Sequence, residues 1–299
     1  MLKQISLLIL CAAAIVWFAT PVQACTSAVV SGKVTPDGRP LLWKNRDTDF
    51  MRNHIDYVKG EKYNFIAVVN SANAYLKEAW MGTNSSGFAL MNTQSYNLVD
   101  VKGDEERGAA NGRVIYRALE VCATVEDFCH FLDTISKPSD IEANFGVIDA
   151  QGGAAMFEVD YYKYVMYDAN NPKDAPYGYI ARTNFSFAGK VNEGAGYVRY
   201  MEADQVLMKA SATGSITPQF IFNDLSRSFR NRMLDIDLRS GAYNRPQASG
   251  WFVDQDFIPR SSTSCSVVVQ GVKPGEKAEL TTMWTLLGLS LIHISEPTR

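Results

Sequence analysis

Hydrophobic positions fall into three patterns along the chain. Residues 5–19 form one unbroken apolar run with Lys3 as the only charge before it. Beyond residue 24 the apolar positions come in short runs rich in Val, Ile, Leu and aromatics. Four of these, at 28–31, 40–45, 65–70 and 87–93, predict strands. Helical spacing then takes over at 110–121. A second helix follows, capped by Thr124 with Asp127 three residues on. Val125, Phe128, Phe131, Leu132 and Ile135 share one face of it, and Pro138 ends it. Strand patterns return at 145–149, 155–160, 163–167 and 178–182, and helical patterns at 198–209 and 219–229, the latter opened by Thr217-Pro218. A polar stretch with Gly241, Pro246 and Gly250 leads to the last strands, at 264–269 and 279–287. Strands, helices, strands, helices, strands predict an α+β domain of antiparallel sheets with helices segregated onto outer faces.

The two ends read differently from the middle. The first apolar run is followed at once by Val22-Gln23-Ala24, which places small or branched residues where signal peptidase reads them. Residues 1–24 are therefore expected to be a secretory signal peptide, with a periplasmic or secreted product. A lipid-modified Cys25 is the rival reading. Gln23 fits it poorly, because a small residue is expected there, and a strand rather than a polar tether follows. At the other end, Leu289-Ser290-Leu291-Ile292-His293-Ile294-Ser295-Glu296-Pro297-Thr298-Arg299 is similar to the translation of a transposase sequencing adapter. Residues 289–299 are accordingly set apart, the folded domain is expected over 25–288, and its natural C-terminus is expected to be missing.

Composition narrows the classes. Hydrophobic residues make up 46% of the chain, charged residues 20%, and the net charge is −3. That balance offers no basic face for nucleic acid, and no apolar run of membrane-spanning length follows the signal. No internal repeat or low-complexity linker divides the roughly 275 residues left after the signal, enough for one large core. With two histidines outside the adapter-like end, His54 and His130, a metal site or a Cys-His pair has little to build on. Glycines 82, 87, 152 and 153 read as turn residues and not as a phosphate loop. No cofactor or metal is expected.

Of the five cysteines, Cys11 leaves with the signal. Cys122, Cys129 and Cys265 read as small buried core residues, although a Cys122–Cys129 disulfide is open to an exported protein. Cys25 differs, because cleavage after Ala24 would put a thiol and a free α-amine on one residue. A thiol of ordinary pKa, about 8.5, then has its own base, an amine of about 7.7–8.0. Such a site also needs a cation beside the thiol, a carboxylate for the amine and neutral donors for an oxyanion. Arg46 and Asp49 at the end of the second strand, Asn92 ending the fourth, and Asn184 in Arg182-Thr183-Asn184 are candidates of the right types.

In that order these residues resemble the N-terminal-nucleophile hydrolases of the choloylglycine hydrolase and penicillin V acylase superfamily. The resemblance is strongest to secreted bacterial relatives of acyl-CoA:6-aminopenicillanate acyltransferase. Cys25-Thr26 resembles the mature start, Arg46-x-x-Asp49 the Arg-x-x-Asp motif, and Gly87 to Asn92 the glycine-led strand of the oxyanion hole. Phe145 to Asp160 resembles the central hairpin, Thr183-Asn184 the second Asn motif, and Arg199 the late active-site Arg. The resemblance implies a four-layer αββα sandwich, here lacking an edge, and a catalytic set of Cys25, Arg46, Asp49, Asn92, Asn184 and Arg199. It implies cleavage of linear, non-peptide amides of small N-acyl compounds through an acyl-enzyme, or acyl transfer to an amine. An inactive, lipid-anchored binding protein of the same fold is the alternative, and homo-oligomerisation stays open. Asn45 and Asp47 depart from the bile-salt and penicillin enzymes, so neither substrate carries over.

Overall fold

The structure is a computed structural model that describes residues 24–99, 108–240 and 256–289. Its strands and main helices run β1 (Cys25–Val30), β2 (Leu41–Asp47), β3 (Asn53–Val58), β4 (Phe65–Asn70), β5 (Met81–Asn84), β6 (Ala89–Gln94), α1 (Asn111–Val121), α2 (Val125–Thr134), β7 (Ala143–Ile148), β8 (Ala154–Val159), β9 (Tyr164–Asp168), β10 (Tyr179–Arg182), α3 (Tyr197–Ala212), α4 (Pro218–Phe220), β11 (Arg230–Asn231), β12 (Ile236–Asp237), β13 (Thr263–Gln270) and β14 (Thr282–Leu287). Two antiparallel sheets carry the fold, of order β10-β1-β2-β13-β14 and β3-β4-β5-β6-β7-β8-β9.

Strand alternation explains the layering, since successive side chains point to opposite faces. Val29, Leu42, Val267 and Val269 of the five-stranded sheet meet Met81, Met91, Ile148 and Met156 of the seven-stranded sheet in a core between the sheets. The alternate residues Val30, Trp43 and Val268 pack under Ala203, Leu207 and Ala210 of α3. On the far side Leu90, Phe145 and Phe157 pack under Ile115 and Leu119 of α1 and Phe128 and Leu132 of α2. Each of the larger side chains, the Val, Leu, Ile, Met and Phe residues, contributes about 1.5–3 kcal/mol by leaving water. The result is helix, sheet, sheet, helix, the αββα layering that the family resemblance implies. No helix among the described residues is long and apolar enough to cross a membrane.

Local signals hold where they were strong. The α2 cap forms as a full capping box, with Thr124 Oγ1 accepting from Asp127 N at 3.0 Å and Asp127 Oδ2 accepting from Thr124 N at 3.1 Å. Several expectations need correction. β3 and β5 have no counterpart in the hydrophobic pattern, because β3 is a half-exposed edge strand and β5 is short and glycine-bearing. Gly82 is a strand residue and not a turn residue: a Cβ there would lie 2.5 Å from Ile66 O and 2.8 Å from Leu119 Cδ1. The helix expected at 219–229 shrinks to α4 and a π-helical turn over Ile221–Leu225, after which β11 begins. The last strand starts at Thr282, since Ala278–Leu280 form a 3₁₀ turn. Cys122 and Cys129 are free thiols, Cys122 buried and Cys129 half-buried. The signal segment, apart from Ala24, the polar stretch 241–250 and all but the first adapter-like residue lie outside the described residues.

Candidate active site

The site grows from the pairing of β10 with β1. The two run antiparallel with Ser27 opposite Arg182, so two residues further on Asn184 arrives opposite Cys25. There Asn184 Oδ1 accepts from Cys25 N at 2.9 Å, while its Nδ2 donates to Gln94 O at 2.8 Å. An amide NH₂ has two donors, so a second N–H remains on Asn184. The segment beyond β10 is held by the buried Glu158 carboxylate. It accepts from Arg182 Nε at 2.6 Å, Phe187 N at 2.8 Å and Ala188 N at 2.7 Å.

Arg199, in the first turn of α3, ties these strands together from the outer side. Its Nη1 donates to Cys25 O at 2.6 Å and Thr26 Oγ1 at 3.1 Å, its Nη2 to Asn184 Oδ1 at 2.9 Å, and its Nε to Asp256 Oδ1 at 2.8 Å. The guanidinium is wholly buried yet has an acceptor on every nitrogen, which is how a buried charge is tolerated. Gly196, the α3 N-cap, has φ of 86°, and a Cβ there would sit 2.4 Å from Arg199 Nη2. Glycine is therefore needed both for the turn and for the arginine.

The inner face of β2 supplies two cations. Arg46 lies opposite Cys25 in the β1–β2 register, with Cys265 opposite it on its other side. Its guanidinium donates to Asn53 Oδ1 and, at 2.9 Å, to Asn70 Oδ1, and lies 4.6 Å from the Trp80 ring centroid. Two residues earlier, Lys44 donates to Asn92 Oδ1 at 2.9 Å and Trp80 O at 3.1 Å. Burial pushes the Lys44 pKa down to about 8, against the attraction of the Cys25 thiol.

Carboxylates divide in a way the sequence did not foretell. Asp49 is exposed and has no hydrogen bond to Cys25, so the structure does not bring it into the cluster. Asp47 is buried, with Oδ1 accepting from Thr263 Oγ1 at 2.6 Å and no hydrogen-bond partner for Oδ2 among the described residues. Burial raises its pKa to about 7, opposed by Arg199, the Thr263 hydrogen bond and Arg260. Its backbone carbonyl is 4.0 Å from Cys25 Sγ.

Of the expected residues, Cys25, Arg46, Asn184 and Arg199 come together directly, Asn92 joins through Lys44, and Asp49 stays outside. Lys44 and Asp47 are the residues that sequence reasoning missed. A charged residue inside the apolar run Leu41-Leu42-Trp43-Lys44 was the available signal for the first.

Residues 34–211 match the protein family described as acyl-coenzyme A:6-aminopenicillanic acid acyl-transferase, well over half of the chain. The chain belongs to that family. Solved structures resemble it at low identity. An N-acylethanolamine-hydrolyzing acid amidase ortholog of Caenorhabditis elegans is 14% identical, with a TM-score of 0.48, over 88% of this chain and 100% of that one. A conjugated bile acid hydrolase variant from Clostridium perfringens is 14% identical, TM-score 0.44, over 88% and 96%. Penicillin V acylase from Agrobacterium tumefaciens is 16% identical, TM-score 0.42, over 91% and 94%. Among curated proteins none matches the sequence. For a member of this family the cluster around Cys25 offers a thiol, two cations, a strand-end nitrogen with a fixed acceptor, and amide donors. Those are the parts that acyl transfer through a thioester requires.

Proposed function

We propose that the protein is an exported cysteine amidohydrolase of the N-terminal-nucleophile type, acting on linear, non-peptide amides of small N-acyl compounds. The observation that carries the reading is the Cys25 nitrogen held 2.9 Å from Asn184 Oδ1. Once residues 1–24 are removed, that nitrogen is an amine, already oriented on the residue that bears the thiol. The amine takes the thiol proton and Sγ attacks the acyl carbonyl. The free N–H of Asn184 and the Asn92 amide are the donors for the oxyanion. Collapse breaks the C–N bond, and the leaving amine takes the proton held by the α-ammonium. A water molecule, deprotonated by the same amine, then releases the acid from the thioester. In this scheme Asn184 takes the place of Asp49 as the group on the amine.

Acyl transfer is the variant of the same scheme in which an amine replaces water, and the family's description favours testing it. The experiment is a panel of N-acyl amino acids, conjugated bile acids and penicillin V, read by released amine with and without an added amine acceptor. Turnover lost in a folded Cys25→Ala variant supports the reading. Turnover that survives that substitution contradicts it.

A further inference from the structure

Lys44 has a position that the scheme above leaves unused. It lies in the middle of β2, 2% exposed, on the face shared by Leu42 and Arg46. Burying an ammonium costs several kcal/mol unless partners hold it. Arg46 cannot take over its contacts, because its guanidinium is committed to Asn53, Asn70 and the Trp80 ring. Lys44 instead reaches the other sheet, where β5 pairs no further along β6 than Met91, and meets Asn92 just past that paired stretch.

The chemistry of the contact fixes an orientation. A lysine ammonium has donors only, whereas a carboxamide has an acceptor end and a donor end related by a flip. The bond from Nζ can form only with Asn92 Oδ1, which leaves Nδ2 as the outward end. Asn92 Nδ2 donates to nothing among the described residues, so it is free to meet a ligand. An ammonium carries three N–H groups, and the two hydrogen bonds to Asn92 and Trp80 leave one of them over. The ionisable groups acting on Lys44 are the Cys25 thiol, Arg46, Cys265 and Asp47.

We propose that Lys44 is a positioning residue, which turns the donor end of Asn92 toward the reacting carbonyl and supplies positive charge beside the Cys25 sulfur. The Asn92 part rests on the amidohydrolase reading; the charge on the thiol does not.

Two measurements on the full chain and its processed form separate these. The first is alkylation of Cys25 by iodoacetamide at fixed neutral pH, resolved by peptide mass spectrometry, with the half-buried Cys129 as internal reference. Lys44→Met should slow Cys25 several-fold and leave Cys129 unchanged. An unchanged Cys25 rate overturns the charge role, whatever the enzyme's substrate. The second is a double-mutant cycle on kcat with Lys44→Met and Asn92→Ala. Each single change should cost about 10²-fold, with little change in KM. The double variant should be no worse than Asn92→Ala alone, because the lysine acts through the asparagine. Multiplying losses overturn the positioning role. Lys44→Gln keeps a donor and drops the charge, so it should alkylate slowly yet retain more kcat than Lys44→Met. It carries both measurements if the Met variant does not fold. Absence of turnover in the wild type removes the amidohydrolase reading alone, and alkylation then decides the lysine's role.

Discussion

Replacing Asp47 by Asn in the chain that retains Ala24 tests the electrostatics of the cluster in a way that activity cannot. The buried Asp47 carboxyl titrates at about 7, against an ordinary value of 3.8. A pKa raised in the folded state means that the folded protein binds the extra proton. The associated stability is therefore fully present below about pH 4 and is lost as pH rises through about 7. The interval between those values, at about 1.4 kcal/mol per pH unit, sets a ceiling of about 4 kcal/mol. Relaxation and water penetration around a buried ion reduce the expected effect to about 1–3 kcal/mol. Arg199 and Arg260 draw the proton off, while Asp256 favours keeping it, and all three remain in the variant. Asn preserves shape and the acceptor for Thr263 Oγ1 but cannot ionise. Urea denaturation of both proteins between about pH 4 and pH 8 should show the variant gaining on the wild type by that amount as pH rises. A flat difference for Asp47→Asn across that range would refute the reasoning.

Two further outcomes follow from the bonds at the strand ends. Asn184→Ala removes both the acceptor on Cys25 N and a free amide donor, so kcat should fall about 10²–10³-fold with a smaller change in KM; steady-state kinetics checks it. Arg199→Met removes the buried donor shared by the Cys25 and Asn184 oxygens, while Asp256 keeps Arg260 at 3.3 Å. It should cost about 1–3 kcal/mol of stability in denaturant unfolding.

Much of the sandwich was legible because burial on one face of a strand or helix leaves a period in the sequence. The capped, amphipathic α2 and the apolar runs of β4 and β6 show this directly. β5 was not legible, since Met81-Gly82-Thr83-Asn84 is buried by its neighbours and not by its own composition. In the site, Cys25 could be placed from the expected cleavage after Ala24 and Asn184 from its strand end, whereas Arg199 entered only through the family resemblance. Asp47 and Asp49 could not be told apart from sequence. Their difference depends on β2 running through Asp47 and pairing across the bulge at Thr263, a tertiary fact with no local signature. Lys44 was passed over because its partner Asn92 is 48 residues away, in the other sheet.

The central claim is that Cys25 attacks through its thiol only when its own nitrogen is a free amine. Intact-mass measurement of acyl-enzyme formation tests it most directly, comparing protein that begins at Cys25 with protein that retains Ala24. The account predicts a stoichiometric acyl adduct on the first and none on the second until it is trimmed. Equal acylation of the two would contradict it and exclude the α-amine as the base.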